Sequence, residues 1–250
     1  MAARLPVLDG PGSGVRELFI LFYFVTDDMC VRHHYGRAVV NRWLVDETRS
    51  CVHHVLKNGS VTRGTAAPGR LFHLFWRKAT RLVHPEEHDR LTTVFSGLVD
   101  AMRIKYQFIA APVPFSLEEF LNLRRRIPAV SFLELERALR AIPSSGAALV
   151  RQAETVADCL SWTNDLHSAD KEQHEGFNLV HMIRRAHGVT LSEAKEEVEQ
   201  LLITRKQMYK DACKVVRGKH GRESDRLLNC YDNLLAAIAP VHEQGSRYRA

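Results

Sequence analysis

Cysteine is scarce in this sequence, and what there is follows no metal or disulfide pattern. Cys30, Cys51, Cys159, Cys213 and Cys230 are odd in number and form no Cys-X-X-Cys. That argues against a disulfide framework or a zinc site and suits a reducing, cytoplasmic compartment. Long apolar runs are missing too. The stretch from Leu18 to Val25 is too short to span a bilayer, and Arg16, Glu17, Asp27 and Asp28 flank it, so neither a membrane span nor a targeting segment is expected. No alternating apolar pattern between hairpin turns, no βαβ rhythm and no internal repeat stands out, which disfavours sheet and solenoid folds. No zinc finger, RNA-binding signature or basic stripe interleaved with aromatics is present either. The net charge of +6 and pI near 9.2 therefore fit an anionic partner without choosing among nucleic acid, an acidic membrane surface and a phosphorylated substrate.

What is present is helix-forming sequence. The chain has 250 residues, 45% hydrophobic and 26% charged, enough for a substantial buried core. Residues 1–14, with Pro6, Gly10, Pro11, Gly12 and Gly14, read as a loose leader. Beyond them, apolar and charged positions alternate at helical period. The pattern predicts helices near 15–35, 37–57, 69–83, 86–111, 116–126, 129–141, 146–173, 177–187, 190–218 and 222–243. Ser116 with Glu119, and Thr190 with Glu193, have the spacing of capping boxes. The expectation is a single all-α domain over 15–250.

One stretch carries chemistry. In Asn164-Asp165-Leu166-His167-Ser168-Ala169-Asp170-Lys171-Glu172, the residues Asn164, Ser168 and Glu172 recur every fourth position. On a helix each step turns by about 400°, so the three side chains drift only about 80° and share a face. An amide oxygen, a hydroxyl and a carboxylate are hard donors of the kind Mg²⁺ prefers. Glu172 leans toward the helix N-terminus and reaches back over Ser168. A polar stripe on a solvated helix would show the same residue types.

Three other places gain meaning beside it. Asp27-Asp28 follows the aromatic run Phe19, Phe22, Tyr23 and Phe24; adjacent carboxylates there need cations or water. Leu123-Arg124-Arg125-Arg126 is followed by a break at Pro128 and reads as an anion clamp or a solvated basic edge. Arg247-Tyr248 lies close to the C-terminus. The histidine pairs His33-His34 and His53-His54, and His84 with His88 four residues on, lack a nearby third ligand for a metal.

In this order and at about this spacing, these elements resemble the class I terpene synthases of microbial type. The 164–172 stretch is similar to their second metal motif, including the Lys-Glu ending, and Asn178 and Val180 also fit. Asp27 matches the first Asp of their Asp-rich motif, although Val31 and Arg32 stand where a third acid usually sits. Arg125 matches a diphosphate-sensing Arg before a helix break. Pro128 and Ala129 match the break itself, where many relatives carry Gly in place of Ala129. Arg247-Tyr248 matches a diphosphate-binding pair after the last long helix.

The resemblance implies an all-α class I terpenoid synthase-like bundle around a central active-site cavity, with the family's helices before the Asp-rich one missing here. It also implies Mg²⁺-dependent ionisation of a small-molecule substrate, a prenyl diphosphate, followed by cyclisation. Farnesyl diphosphate and a sesquiterpene product are the family's prior. Three Mg²⁺ ions would be held by Asp27, Asn164, Ser168 and Glu172, and Arg125, Lys171, Arg247 and Tyr248 would complete the diphosphate shell. Ile20, Tyr23, Phe24, Ala129, Val156 and Leu160 would line the substrate pocket. A shortened wall favours instability, dimerisation or hydroxylated products, and a catalytically impaired or inactive family member is the alternative. A chain-elongating prenyltransferase normally carries Asp-rich motifs on both sides, so the mixed set at 164–172 favours a cyclase. From another class, a basic helical module binding nucleic acid or another anion stays open.

Overall fold

A computed structural model describes residues 12–34, 37–111, 115–142, 147–173, 175–217 and 221–244. The fold is all-α apart from one short hairpin, and it divides into two compact units. The amino-terminal unit comprises Gly10–Pro114 and Arg126–Ala141, and the carboxy-terminal unit holds Phe115–Arg125 and the chain from Ile142 onward.

The amino-terminal unit contains α1 (Ser13–Cys30), β1 (Val31–His34), β2 (Arg37–Val40), α2 (Arg42–Asn58), α3 (Ala67–Leu82), α4 (His88–Ala110) and α6 (Ala129–Leu139). Val15, Phe19, Phe22, Thr26 and Cys30 recur at three- and four-residue intervals and make the buried stripe of α1. That stripe meets α3 and α4 in an aromatic core. Phe22 packs on Phe72 with ring centroids 5.1 Å apart, and Phe75 on Phe95 at 5.0 Å, both within the favoured edge-on range. The charged side of α6 is buried as well. Arg16 on α1 pairs with Glu136, and Glu134 accepts from both Arg90 (2.9 Å) and Arg137 (3.0 Å).

The hairpin departs from the sequence reading, which ran helix to residue 35 and resumed at 37. Helix α1 stops at Cys30, and β1 pairs antiparallel with β2 in a register that sets Val31 opposite Val40. Val31, Val39 and Val40 are β-branched and lose rotamer freedom in a helix, and Gly36 is a poor helix residue between them. Asn41 then starts α2, its side chain accepting from Leu44 N at 3.2 Å.

The carboxy-terminal unit contains α5 (Leu117–Arg125), α7 (Ala147–Ser168), α8 (Leu179–His187), α9 (Leu191–Val216) and α10 (Gly221–Gln244). Helix α7 packs along α9 and α10, burying Val156, Ala157 and Cys159 with Val198, Leu202, Leu228 and Tyr231. Both expected capping boxes form: Glu119 accepts from Ser116 N at 2.8 Å, and Glu193 from Thr190 N at 2.8 Å.

Helix α7 ends five residues earlier than the periodicity suggests. After Ser168 the chain turns, with one further helical bond from Glu172 N to Ser168 O at 2.9 Å. Two residues beyond the turn account for the early stop. Gly176 adopts a left-handed φ of 68°, and its N–H reaches Glu172 O. Asn178 then donates to the carbonyl of Asp165 at 2.8 Å, drawing the chain back over the last turn of α7.

Candidate metal and diphosphate site

In the carboxy-terminal unit, the last turn of α7 sorts adjacent residues by function. Asp165 is fully buried and pinned from two directions. Arg124 on α5 donates to its Oδ1 through Nη2 at 2.8 Å and Nε at 3.0 Å, and Leu179 N donates to its Oδ2 at 3.1 Å. Asp165 thus ties α7 to α5 and to the start of α8. Asn164, one residue earlier, turns to a different face and is half-buried.

Ser168, four residues on, continues that second face to the end of α7, and Asn178 brings it together with Glu172 in the turn beyond. Its Nδ2 lies 3.3 Å from Ser168 Oγ and 2.9 Å from Glu172 Oε2, while its Oδ1 accepts from Val180 N at 2.9 Å and caps α8. Hydroxyl and carboxylate therefore converge on a single amide, and with Asn164 they make a set of hard oxygens suited to Mg²⁺. His181 supports the same turn. Its Nε2–H donates to Ala169 O at 2.8 Å, and burial holds its pKa below the usual imidazole range. Lys171 is exposed on the turn; Val156 is buried and Leu160 half-buried on α7.

Arg125 ends α5, as expected from sequence. It donates bidentately to Asp158 on α7, Nε to Oδ1 at 2.7 Å and Nη2 to Oδ2 at 3.0 Å, and Arg205 on α9 reaches the same Oδ2 at 2.6 Å. The bonds to Asp158 raise the pKa of the Arg125 guanidinium against the opposing effect of burial. Sequence reasoning assigned no role to Asp158 or Asp165. A signal was there: the two lie seven residues apart, two helical turns, and so face the same neighbour, which presents the adjacent pair Arg124 and Arg125.

In the amino-terminal unit, Asp27 sits in the last turn of α1, half-buried. Its Oδ1 accepts from Lys105 Nζ at 2.6 Å and from Tyr106 OH at 3.1 Å, both on α4. Burial, with the Asp27 charge added, pushes the neighbouring Cys30 thiol up to about 12, so it stays protonated. Tyr23 is buried against Phe24, their centroids 5.5 Å apart; Phe24 and Ile20 are half-buried. Ala129 is buried at the start of α6, after the break at Pro128. Three of the histidines considered for a metal have other partners. His53 Nε2 pairs with Asp100 at 3.2 Å, His84 accepts from Glu86 N at 3.4 Å, and His88 meets Val83 O at 3.3 Å. Arg247 and Tyr248 lie outside the described residues.

The family model described as terpene synthase family 2, C-terminal metal binding, matches residues 18–207. The chain belongs to that family. Solved terpene synthases share its fold. A wild-type cucumene synthase is similar with a TM-score of 0.71 at 16% identity, over 96% of this chain and 83% of its own. An α-eudesmol synthase gives 0.76 at 17% identity, over 97% and 82%. Germacradien-4-ol synthase from Streptomyces citricolor gives 0.74 at 20% identity, over 93% and 78%. No curated protein matches. In this terpene synthase no helix among the described residues is long and apolar enough to cross a membrane.

The place of Asn178 in the terpene synthase site yields a prediction. Asn178→Ser keeps an oxygen able to cap α8 but loses the amide hydrogens that gather Ser168 and Glu172. Groups that orient metal ligands in this way are worth about 10–100-fold in metal affinity. Mn²⁺ titration followed by electron paramagnetic resonance is expected to show that loss, while the melting temperature stays nearer the parent's than in Asn178→Ala. Equal metal affinity in Asn178→Ser and the parent would remove Asn178 from this role.

Proposed function

We propose that this terpene synthase is a Mg²⁺-dependent cyclase acting on a prenyl diphosphate, with farnesyl diphosphate the first candidate and a sesquiterpene the product. The reading is carried by one observation: Asn178 gathers Ser168 Oγ and Glu172 Oε2, one helical turn beyond Asn164 and further along the chain. Asn164, Ser168 and Glu172 would hold Mg²⁺ there, and Asp27 would serve the Asp-rich motif, for three ions in all as the family's pattern implies. When bound, the ions neutralise negative charge building on the leaving diphosphate.

The chain's own groups do the rest. Arg125, already oriented by Asp158, presents a planar donor pair suited to diphosphate oxygens. Lys171, Arg247 and Tyr248 add donors. Such preset donors stabilise the departing anion without a protein nucleophile. Tyr23 and Phe24 offer aromatic faces, which stabilise cations, and Ile20, Ala129, Val156 and Leu160 offer apolar surface carrying no base. The mixed amide, hydroxyl and acid set, unlike paired Asp-rich motifs, favours cyclisation over chain elongation. A cytoplasmic setting, with reduced cysteines, suits the reaction.

The test is direct. The protein is incubated separately with geranyl, farnesyl and geranylgeranyl diphosphate, with and without Mg²⁺. Diphosphate release is measured and hydrocarbons are identified by mass spectrometry. Mg²⁺-dependent release with a cyclic product is expected. No release from any of the three, together with salt-sensitive binding to DNA, would point instead to a basic anion-binding module.

A further inference from the structure

Lys105 is the observation that the family pattern does not absorb. Its side chain is only 9% exposed, and a buried ammonium is costly unless a partner neutralises it. The partner is Asp27, whose Oδ1 lies 2.6 Å from Nζ. Tyr106 OH donates to the same oxygen at 3.1 Å, and Nζ stands 5.5 Å from the centre of the Tyr106 ring, within the range of cation–π attraction. Consecutive residues of α4 thus place a fixed positive charge against the carboxylate expected to receive metal. The surroundings reinforce this balance. Where a third acid would stand, β1 carries Val31, buried, and Arg32, exposed. Asp27 is consequently set against one buried cation, Lys105.

We propose that Lys105 is a built-in counter-ion of the Asp-rich side: its ammonium takes the place beside Asp27 that a divalent cation would occupy. Lys105 thereby sets the affinity of that side for metal and keeps it below that of a free carboxylate. The proposal rests on Asp27 being a metal ligand of the proposed cyclase. Asp27 is kept paired and oriented by Lys105 and Tyr106, and any divalent ion has to displace an ammonium to reach it. The charge argument fixes the sign. Removing one positive charge a few ångströms from a bound divalent cation strengthens its binding.

The experiment compares Mn²⁺ binding to the full chain by electron paramagnetic resonance, without substrate or diphosphate. Lys105→Met and Lys105→Gln are expected to bind Mn²⁺ about tenfold more tightly than the parent. Lys105→Arg, which keeps the charge, is expected to bind like the parent. In the background of Asp27→Asn, the gain from Lys105→Met should vanish. Thermal melts guard against misfolding: the neutral variants leave Asp27 without its ammonium, so Mn²⁺ should raise their melting temperatures more than the parent's. Unchanged or weaker Mn²⁺ binding in both neutral variants overturns the proposal, as does a gain that persists without Asp27. Because binding is read without turnover, the cyclase and the counter-ion fail separately. An inactive protein with the expected Mn²⁺ pattern loses the cyclase and keeps the counter-ion; an active one without that pattern loses the counter-ion alone.

Discussion

Asn164→Ala is expected to lower the rate of diphosphate release from a prenyl diphosphate by about 10²–10³-fold, the range for removing a preset electrostatic contributor to a transition state. Asn164 lies near the end of α7, half-buried and one helical turn before Ser168. The substitution removes one amide there and leaves α7 its helical residue, since alanine is the best helix former. Steady-state release at saturating Mg²⁺ checks the rate, and a urea melt checks the fold. A variant that turns over at the parent rate would show that the oxygen set is not the metal site.

Its neighbour should behave in the opposite manner. Asp165→Ala removes the partner of Arg124 and leaves a guanidinium buried without its carboxylate; breaking such a pair costs about 3–5 kcal/mol. The backbone N–H of Leu179 loses its acceptor in the same change. The expected result is a urea midpoint shifted far downward, whereas Asn164→Ala melts near the parent. Asp165→Asn should fall between the two, because it keeps an acceptor for Leu179 N but not the charge. A loss below about 1 kcal/mol in Asp165→Ala, the range of an exposed pair, would mean that the bond between Arg124 and Asp165 does not hold α5 to α7.

That contrast shows where sequence was informative. The helices were legible because apolar residues recur at 3.6-residue period, and the caps at Ser116 and Thr190 because a capping box is local. The spacing of Asn164, Ser168 and Glu172 was legible for the same reason. The hairpin at residues 31–40 was missed because its strands are four residues each, too short for alternation to show. The early end of α7 depends on Asn178 reaching back thirteen residues to the Asp165 carbonyl, which no local pattern records. Lys105 was least visible of all. It stands 78 residues from Asp27, and a lysine on a helix reads as solvated until the fold buries it.

Asn178 also holds a contest. Its side-chain nitrogen carries two hydrogens, yet three acceptors crowd it: the Asp165 carbonyl, Ser168 Oγ and Glu172 Oε2. One nitrogen thus holds a carbonyl, a hydroxyl and a carboxylate within 2.8–3.3 Å of itself. In the proposed site, a divalent cation would meet a hydroxyl and a carboxylate that this amide already gathers. The connection from α7 to α8 is drawn in during folding, so little ordering is left for the moment of binding.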